Sequence, residues 1–453
     1  LAFFPGVGDI ERAKSRLSKR LQREVVALHG SLPPRQQDLA VTGGGPPRVI
    51  LATNIAETSL TIDGVVCVVD CGREKRAVVD PVLGFSRLEQ RRISRASADQ
   101  RAGRAGRTQA GTCVRLWSAL DHQTLPAFAP PEISRSDLTS TVLHVLAWGQ
   151  QPETFGWFAA PPPAEIARST AVLEGVGALQ NGALTALGRQ LATLPVHPRV
   201  GRALVDGKQQ ARLHAAASLA ALVEEGDVFA VVPEGTGDDD VELRLDAVAR
   251  GEADRRPGRW QRQGLDPRRT ERFVRTRDAL LSRFRSPKNK RGTGSASNEL
   301  NWAALLLGGF GDRVARRRQT GGERFVLVGG RGARLSRKSR AHNAELIIAV
   351  SIRAGRRGQR TEHTIDVACR IERGDLPLER VRSVVFDPDS ETVSAFVETR
   401  YRDLVLDSRL DKSNPDEAFD ALVAAARRLP HRAFNIDKTT AALLARARFI
   451  KEQ

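Results

Sequence analysis

Over residues 1–118, short runs of β-branched and aliphatic residues alternate with amphipathic stretches, and this alternation leaves few folds open. Residues 1–4, 25–28, 49–53, 65–70 and 112–117 read as strands. Asp9 can cap a helix running to about residue 21, with Ile10, Ala13 and Leu17 at helical spacing. Residues 33–41 read as a second helix with proline in its first turn. The order βαβαβ implies a parallel sheet covered on both faces. In such sheets ligands bind at the carboxyl ends of the strands, in the loops that follow.

The chain has 453 residues, too many for one core, and about three domains are expected at roughly 150 residues each. Beyond residue 118 the strands give way to helical patterns over 138–148, 165–179, 185–194, 199–206 and 212–224, with a turn at Asn181-Gly182. Two segments read as mobile insertions: 235–240, acidic and glycine-rich, and 286–298, basic and poor in apolar residues. After residue 318 alternation of period two returns, over 324–328, 344–351, 364–369, 381–387 and 392–399, and a small antiparallel barrel is expected. Residues 415–429 and 439–451 read as a helical tail. The fold class is therefore multidomain α/β: a parallel-sheet domain, an α-helical module, a small β-barrel-like domain and a helical tail.

Lysine plus arginine total 71 against 53 acidic residues, a net charge of +18 that favours a polyanionic partner, with nucleic acid first. Cys67, Cys71, Cys113 and Cys369 form neither a disulfide scaffold nor a metal-ligand spacing, so a reducing compartment and no metal site are expected. No apolar run reaches the length of a membrane span, and the start carries no signal-peptide pattern. The chain opens inside an apolar run without methionine, which reads as a fragment. The basic stretches 255–269 and 286–291 could grip phosphates, while His197 and Trp148 read as core or capping residues.

Two constellations carry chemistry. In Gln100-Arg101-Ala102-Gly103-Arg104-Ala105-Gly106-Arg107, glycines three apart would let backbone pack closely, and arginines three apart would share a helical face. Guanidinium groups so placed suit a triphosphate, whose transition state spreads charge over equatorial oxygens. In Ala52-Thr53-Asn54-Ile55-Ala56-Glu57-Thr58-Ser59-Leu60-Thr61-Ile62-Asp63-Gly64, a buried strand delivers a hydroxyl-rich loop at its carboxyl end. Hydroxyls and helix-N-terminal amides there can hold the phosphates of a strand or a nucleotide. Phe4-Pro5-Gly6 and His29-Gly30-Ser31 follow the same strand-to-loop logic.

In this order, these segments resemble motifs IV, IVa, V and VI of the DEAH/RHA helicases of superfamily 2. The resemblance extends through residues 179–198 to that family's winged-helix and ratchet segment. In 310–318, 325–335 and Phe434-Asn435 it is to the bacterial HrpB subfamily. It implies a second RecA-like domain over 1–118, a winged-helix-like domain over 119–195 and a helical ratchet-like domain over 196–312. An OB-like β domain over 313–400 and a subfamily-specific C-terminal region over 401–453 would follow. By position, Gln100, Arg104 and Arg107 match the motif VI residues that reach ATP, the arginines as fingers. Ser59, Thr61 and Asp63 match motif V positions on the nucleotide side. Thr53 and Thr58 match those near the nucleic-acid backbone, with Ser31 and Gly6 beside them. Residues 73–88, turning at 80–84, match the strand-separating β-hairpin.

No Gly-x-x-x-x-Gly-Lys-Ser/Thr and no Asp-Glu-x-His occurs in these residues, so phosphate cradle and magnesium ligands are expected in a first lobe outside them. Ala40 stands where many relatives place a base-stacking phenylalanine. The function implied is an ATP-dependent RNA helicase using ATP and Mg2+, acting as a cytoplasmic monomer on single-stranded or partly duplex RNA. A DNA helicase and a non-enzymatic nucleic-acid-binding protein descended from one remain open at this point.

Overall fold

Five short strands rich in valine, leucine and isoleucine build the first sheet, and their side chains divide between its two faces. The computed structural model describes residues 1–42, 45–58, 60–79, 86–107, 109–233, 238–284, 301–353, 362–388, 390, 392–412, 414–428, 437, 440–443 and 446, with backbone alone at 77–79 and 86–88. Ser59, the expected turn at 80–84, the basic segment 286–298 and Phe434-Asn435 lie outside the described residues. The chain divides into two compact units, Leu1–Pro198 and Arg199–Gln453.

In the first unit, β1 (Ala2–Phe3), α1 (Val7–Leu17), β2 (Val25–Leu28), α2 (Pro34–Val41), β3 (Val49–Ala52), α3 (Ile55–Thr58) and β4 (Cys67–Asp70) succeed one another. A hairpin follows, β5 (Arg73–Val79) and β6 (Ser86–Arg92), then α4 (Arg95–Ala102) and β7 (Thr112–Arg115). The sheet order is β2-β3-β1-β4-β7, every pair parallel. Alternate residues point to opposite faces. Val25, Ala27 and Leu51 therefore bury Ile10 of α1 on one side, while Phe3, Leu28, Ile50, Ala52 and Val68 form a second cluster on the other.

Helix α1 starts earlier than expected. Gly6, in extended backbone, takes the cap position, and Asp9 sits inside the first turn, 2.5 Å from Arg12. Ala40 is fully buried in the second cluster and cannot present a stacking surface; Leu39 is the exposed large apolar residue of α2.

The unit continues through α5 (Ala119–Gln123), α6 (Thr139–Ala147) and α7 (Pro163–Gly175). A small hairpin, β8 (Leu179–Gln180) with β9 (Ala183–Leu184), leads into α8 (Ala186–Ala192). Its turn is Asn181-Gly182, both at positive φ, so the strands do not vanish after residue 118. His197 pairs with Asp137 at 3.6 Å. Trp148 occupies the C-cap of α6 but is 70% exposed, a capping residue and not a core one.

The second unit opens with α9 (Pro198–Gln209), α10 (Leu213–Glu225), α11 (Asp240–Ala253), α12 (Arg259–Arg262), α13 (Pro267–Phe284) and α14 (Trp302–Phe310). The alanine- and leucine-rich α10 packs along α13. Then come β10 (Val314–Arg317), β11 (Arg324–Leu327), β12 (Gly332–Leu335), β13 (Leu346–Arg353) and β14 (His363–Arg370), which close a barrel in the order β10-β11-β12-β14-β13. The barrel is not wholly antiparallel: β12 and β14 run parallel. The remaining expected barrel strands form a separate sheet. There β16 (Thr392–Tyr401) pairs with both β15 (Glu379–Asp387) and β17 (Leu404–Asp411), the last a strand that the sequence reading did not assign, before α15 (Pro415–Arg428). Residues 238–240, expected in a mobile insertion, are anchored. Asp240 is fully buried and accepts from the Ser339 hydroxyl and the Arg340 and Ala368 amides. Among the described residues no helix is long and apolar enough to cross a membrane, and no cluster has metal-ligand geometry.

Candidate active site at the carboxyl edge of the parallel sheet

The loops leaving β1, β2 and β3 bring Gly6, Ser31, Thr53 and Asn54 to one edge of the sheet, because the strands run the same way, and the chain beyond α3 returns from there to the start of β4. Thr53 donates its amide to the Leu28 carbonyl at 3.2 Å, tying the motif V entry to β2. The Ser31 hydroxyl lies 2.8 Å from Nδ1 of His29, a ring 5% exposed whose pKa burial holds below its ordinary value. The neutral ring can then accept from Ser31. Thr58 ends α3, and Thr61 and Asp63 are exposed on the loop beyond it.

The arginine-rich segment is not one helical face. Ser94 caps α4, its hydroxyl accepting from the Ser97 amide at 3.1 Å, and the helix stops at Ala102. Arg101 is thus helical, while Arg104 and Arg107 lie in the turn that follows. Nor do the paired glycines make close approaches: a Cβ on Gly106 would meet nothing, and one on Gly103 would make ordinary contacts. The tight position is Gly111, where a Cβ would fall 2.0 Å from the Ala105 carbonyl oxygen.

These three arginines do three different things. Arg101 is 1% exposed and donates Nε to Glu57 at 2.9 Å and Nη1 to Asp70 at 3.0 Å, with the Arg73 carbonyl at 3.3 Å. Its guanidinium lies 4.8 Å from the centre of the Phe3 ring. Arg104 is 4% exposed and donates to the Leu60 carbonyl at 2.6 Å and to the Glu57 carbonyl. Burial, with the charge of Arg107 beside it, lowers its pKa, although an arginine stays protonated regardless. Arg107 alone is exposed, and donates Nη1 to the Thr61 hydroxyl at 3.0 Å.

Motif V is therefore strapped to motif VI from both sides of its short helix. Glu57 also accepts from the Ser97 hydroxyl at 2.6 Å. Sequence reasoning passed over Glu57, Ser97 and Asp70. The available signal was a carboxylate ending an apolar strand, Val68-Val69-Asp70, next to a segment dense in arginine. Gln100 does not join Arg107. It lines a cavity of about 420 Å³ with Asn54, Glu57 and the base of the β5–β6 hairpin.

The helicase conserved C-terminal domain matches residues 1–109. The chain is 36% identical to the ATP-dependent RNA helicase HrpB of Escherichia coli (strain K12) over 354 residues, covering 77% of this chain and 39% of that protein. It is 38% identical over 237 residues to the probable ATP-dependent RNA helicase DHX34 of Homo sapiens, covering 51% of this chain and 21% of the relative. It thus spans less than half the length of either curated relative. A crystal structure of the Escherichia coli DEAH/RHA helicase HrpB superposes with a TM-score of 0.71 at 30% identity, covering 94% of this chain and 51% of that one.

Proposed function

Because the chain belongs to the DEAH/RHA helicase family, we propose that it supplies the second half of a two-lobed ATPase that moves along RNA and unwinds it. The observation that carries this reading is the partition of the arginines. Arg101 and Arg104 hold motif V, so that Arg107 stands open to water, 3.0 Å from Thr61. A guanidinium bonded, among the described residues, only to a hydroxyl can turn to a phosphate without leaving a buried carboxylate unpaired.

ATP with Mg2+ brings a phosphoryl group whose transfer spreads charge over its oxygens, and the donor set fits that need on one side only. Arg107 and Thr61 would face the phosphates, with Asp63 on the same loop as Thr61; Ser59 and Gln100 are assigned to the nucleotide by their motif positions alone, Gln100 standing on α4 in a separate cavity. Arg104 would reach them only by exchanging its two carbonyl partners. The cradle and metal ligands belong, in this reading, to a lobe carrying Gly-x-x-x-x-Gly-Lys-Ser/Thr and Asp-Glu-x-His. Gly6, Ser31, Thr53 and Thr58 would take the RNA backbone, since phosphate contacts need only donors at loop ends. We assign 1–118, 119–195, 196–312, 313–400 and 401–453 as RecA-like, winged-helix-like, ratchet-like, OB-like and subfamily-specific regions of a cytoplasmic monomer.

The test uses the full-length enzyme. Arg107→Ala should lower RNA-stimulated kcat on the order of 10³-fold, as loss of an arginine finger does, without lowering Tm. Arg104→Ala should lower both kcat and Tm, because it unties two motif V carbonyls. Near-normal RNA-stimulated hydrolysis by Arg107→Ala would sink the assignment.

A further inference from the structure

The two strands of the β5–β6 hairpin are fastened to different parts of the fold, and the reading above uses neither attachment. On the β5 side, the Gly72 amide donates to Asp70 Oδ1 at 2.8 Å, and the Arg73 carbonyl accepts from Arg101 of motif VI at 3.3 Å. Gly72 is at positive φ, and a Cβ there would fall 2.8 Å from the Trp117 ring. The Ile93 amide donates to the Gly72 carbonyl at 3.1 Å and closes the base. On the β6 side, only Ile93 lies between Arg92, the last residue of the strand, and Ser94, the N-cap of α4. That helix carries Gln100 and Arg101 and leads into Arg104 and Arg107. Hairpin and arginine segment thus share one covalent joint and one hydrogen-bonded joint.

A second, separate observation is an ion pair from β6 to α5. Arg92 donates Nη2 to Asp121 at 2.6 Å and Nη1 to the Thr124 hydroxyl at 3.3 Å. The carboxylate is aimed by its own helix. Ser118, which caps α5, donates its hydroxyl to the other Asp121 oxygen at 2.8 Å and accepts the Asp121 amide at 3.0 Å. The Thr124 hydroxyl donates to the Asp121 carbonyl at 2.7 Å. The hydrogen bond from Arg92, then that from Ser118, holds the Asp121 carboxyl below the usual carboxylate range. Arg92 and Asp121 are 47% and 41% exposed, and a pair so open to water adds little to stability. What it adds is direction. Both residues border a cavity of about 140 Å³ that Gly72, Arg73 and Trp117 also line, so the pair, and not solid packing, sets the angle of the hairpin base on this side.

We propose that Arg92 and Asp121 are a positioning latch, holding the β5–β6 hairpin at a fixed angle to α4 so that movement of the motif VI arginines on a phosphate is passed to the hairpin. This rests on the helicase reading, in which the hairpin separates strands, and the experiment tells the two apart. The full-length protein is assayed on one partly duplex RNA for both strand displacement and phosphate release, which gives strands separated per ATP hydrolysed. Arg92→Glu and Asp121→Arg should each lower this ratio roughly fivefold, with RNA-stimulated kcat and Tm close to wild type. The double variant Arg92→Glu/Asp121→Arg rebuilds the pair with its charges exchanged and should recover the ratio. A loss in Arg92→Glu alone, with no rescue in the double variant, would mean that Arg92 meets RNA directly and would overturn the latch. Hydrolysis that falls in step with displacement would overturn it too, as would single variants whose ratio matches wild type; in that last case the helicase reading stands. Wild-type protein that hydrolyses ATP without separating strands would remove the helicase reading and the latch with it.

Discussion

Arg101 is almost wholly removed from water, and only its partners make that tolerable: two carboxylates and a carbonyl take its donors, and the Phe3 ring covers one face. Such a pair is weak evidence of stability, but breaking it is costly, because a buried charge is left alone. Arg101→Met should therefore destabilise the protein by about 3–5 kcal/mol, since Asp70 and Glu57 lose their counter-charge and keep only the Gly72 amide and the Ser97 hydroxyl. The measurement is a urea titration; a change under about 1 kcal/mol would mean that water reaches these carboxylates. None of this was legible in the motif itself. Spacing of three marks Arg101, Arg104 and Arg107 alike, whereas their fates follow from where α4 ends and from carbonyls and carboxylates 28–47 positions away.

At the scale of elements, the start of α11 shows how a polar stretch can be structural. Asp239 caps the helix, its Oδ1 accepting from the Val241 and Glu242 amides at 2.7 and 2.9 Å, and its Oδ2 takes the Arg370 amide at 2.5 Å. Asp240 takes the Ser339 hydroxyl at 2.5 Å and the Arg340 and Ala368 amides at 2.7 and 3.0 Å. One helix end thereby fastens β14 and the loop before β13. Asp240→Ala would leave three buried donors unsatisfied, at about 1–3 kcal/mol each, and should cost at least about 3 kcal/mol. Asp240→Asn, which keeps one acceptor oxygen, should cost less. Equal losses for the two variants in the same urea titration, at constant m-value, would argue against this network. Acid and glycine in sequence suggested mobility here, because the partners lie 99–131 positions away. The elements legible in advance were those with strong local period: β2, β3, α2, α10 and the Asn181-Gly182 turn.

Over the whole molecule, a net charge of +18 overstates the free cation, since many arginines are engaged internally. Arg244 pairs with Asp227, Arg199 with Asp312, and Arg277 with Glu252. Within 255–269, offered as a phosphate grip, Arg256 and Arg262 both pair with Asp254. For this 453-residue chain by itself we expect single-strand binding without ATP turnover, because the residues it brings to phosphates are fingers and hydroxyls. Phosphate release that follows the protein through purification would contradict that. What the sequence determined alone is the parallel sheet, its order of loops and the edge where motifs V and VI meet. Those depend on short-range periodicity, on backbone geometry and on strands running one way. Which arginine stays open and which carboxylates bury its neighbour Arg101 were decided only in three dimensions. Burial and ion pairing are properties of neighbours in space, and spacing along a chain does not record them.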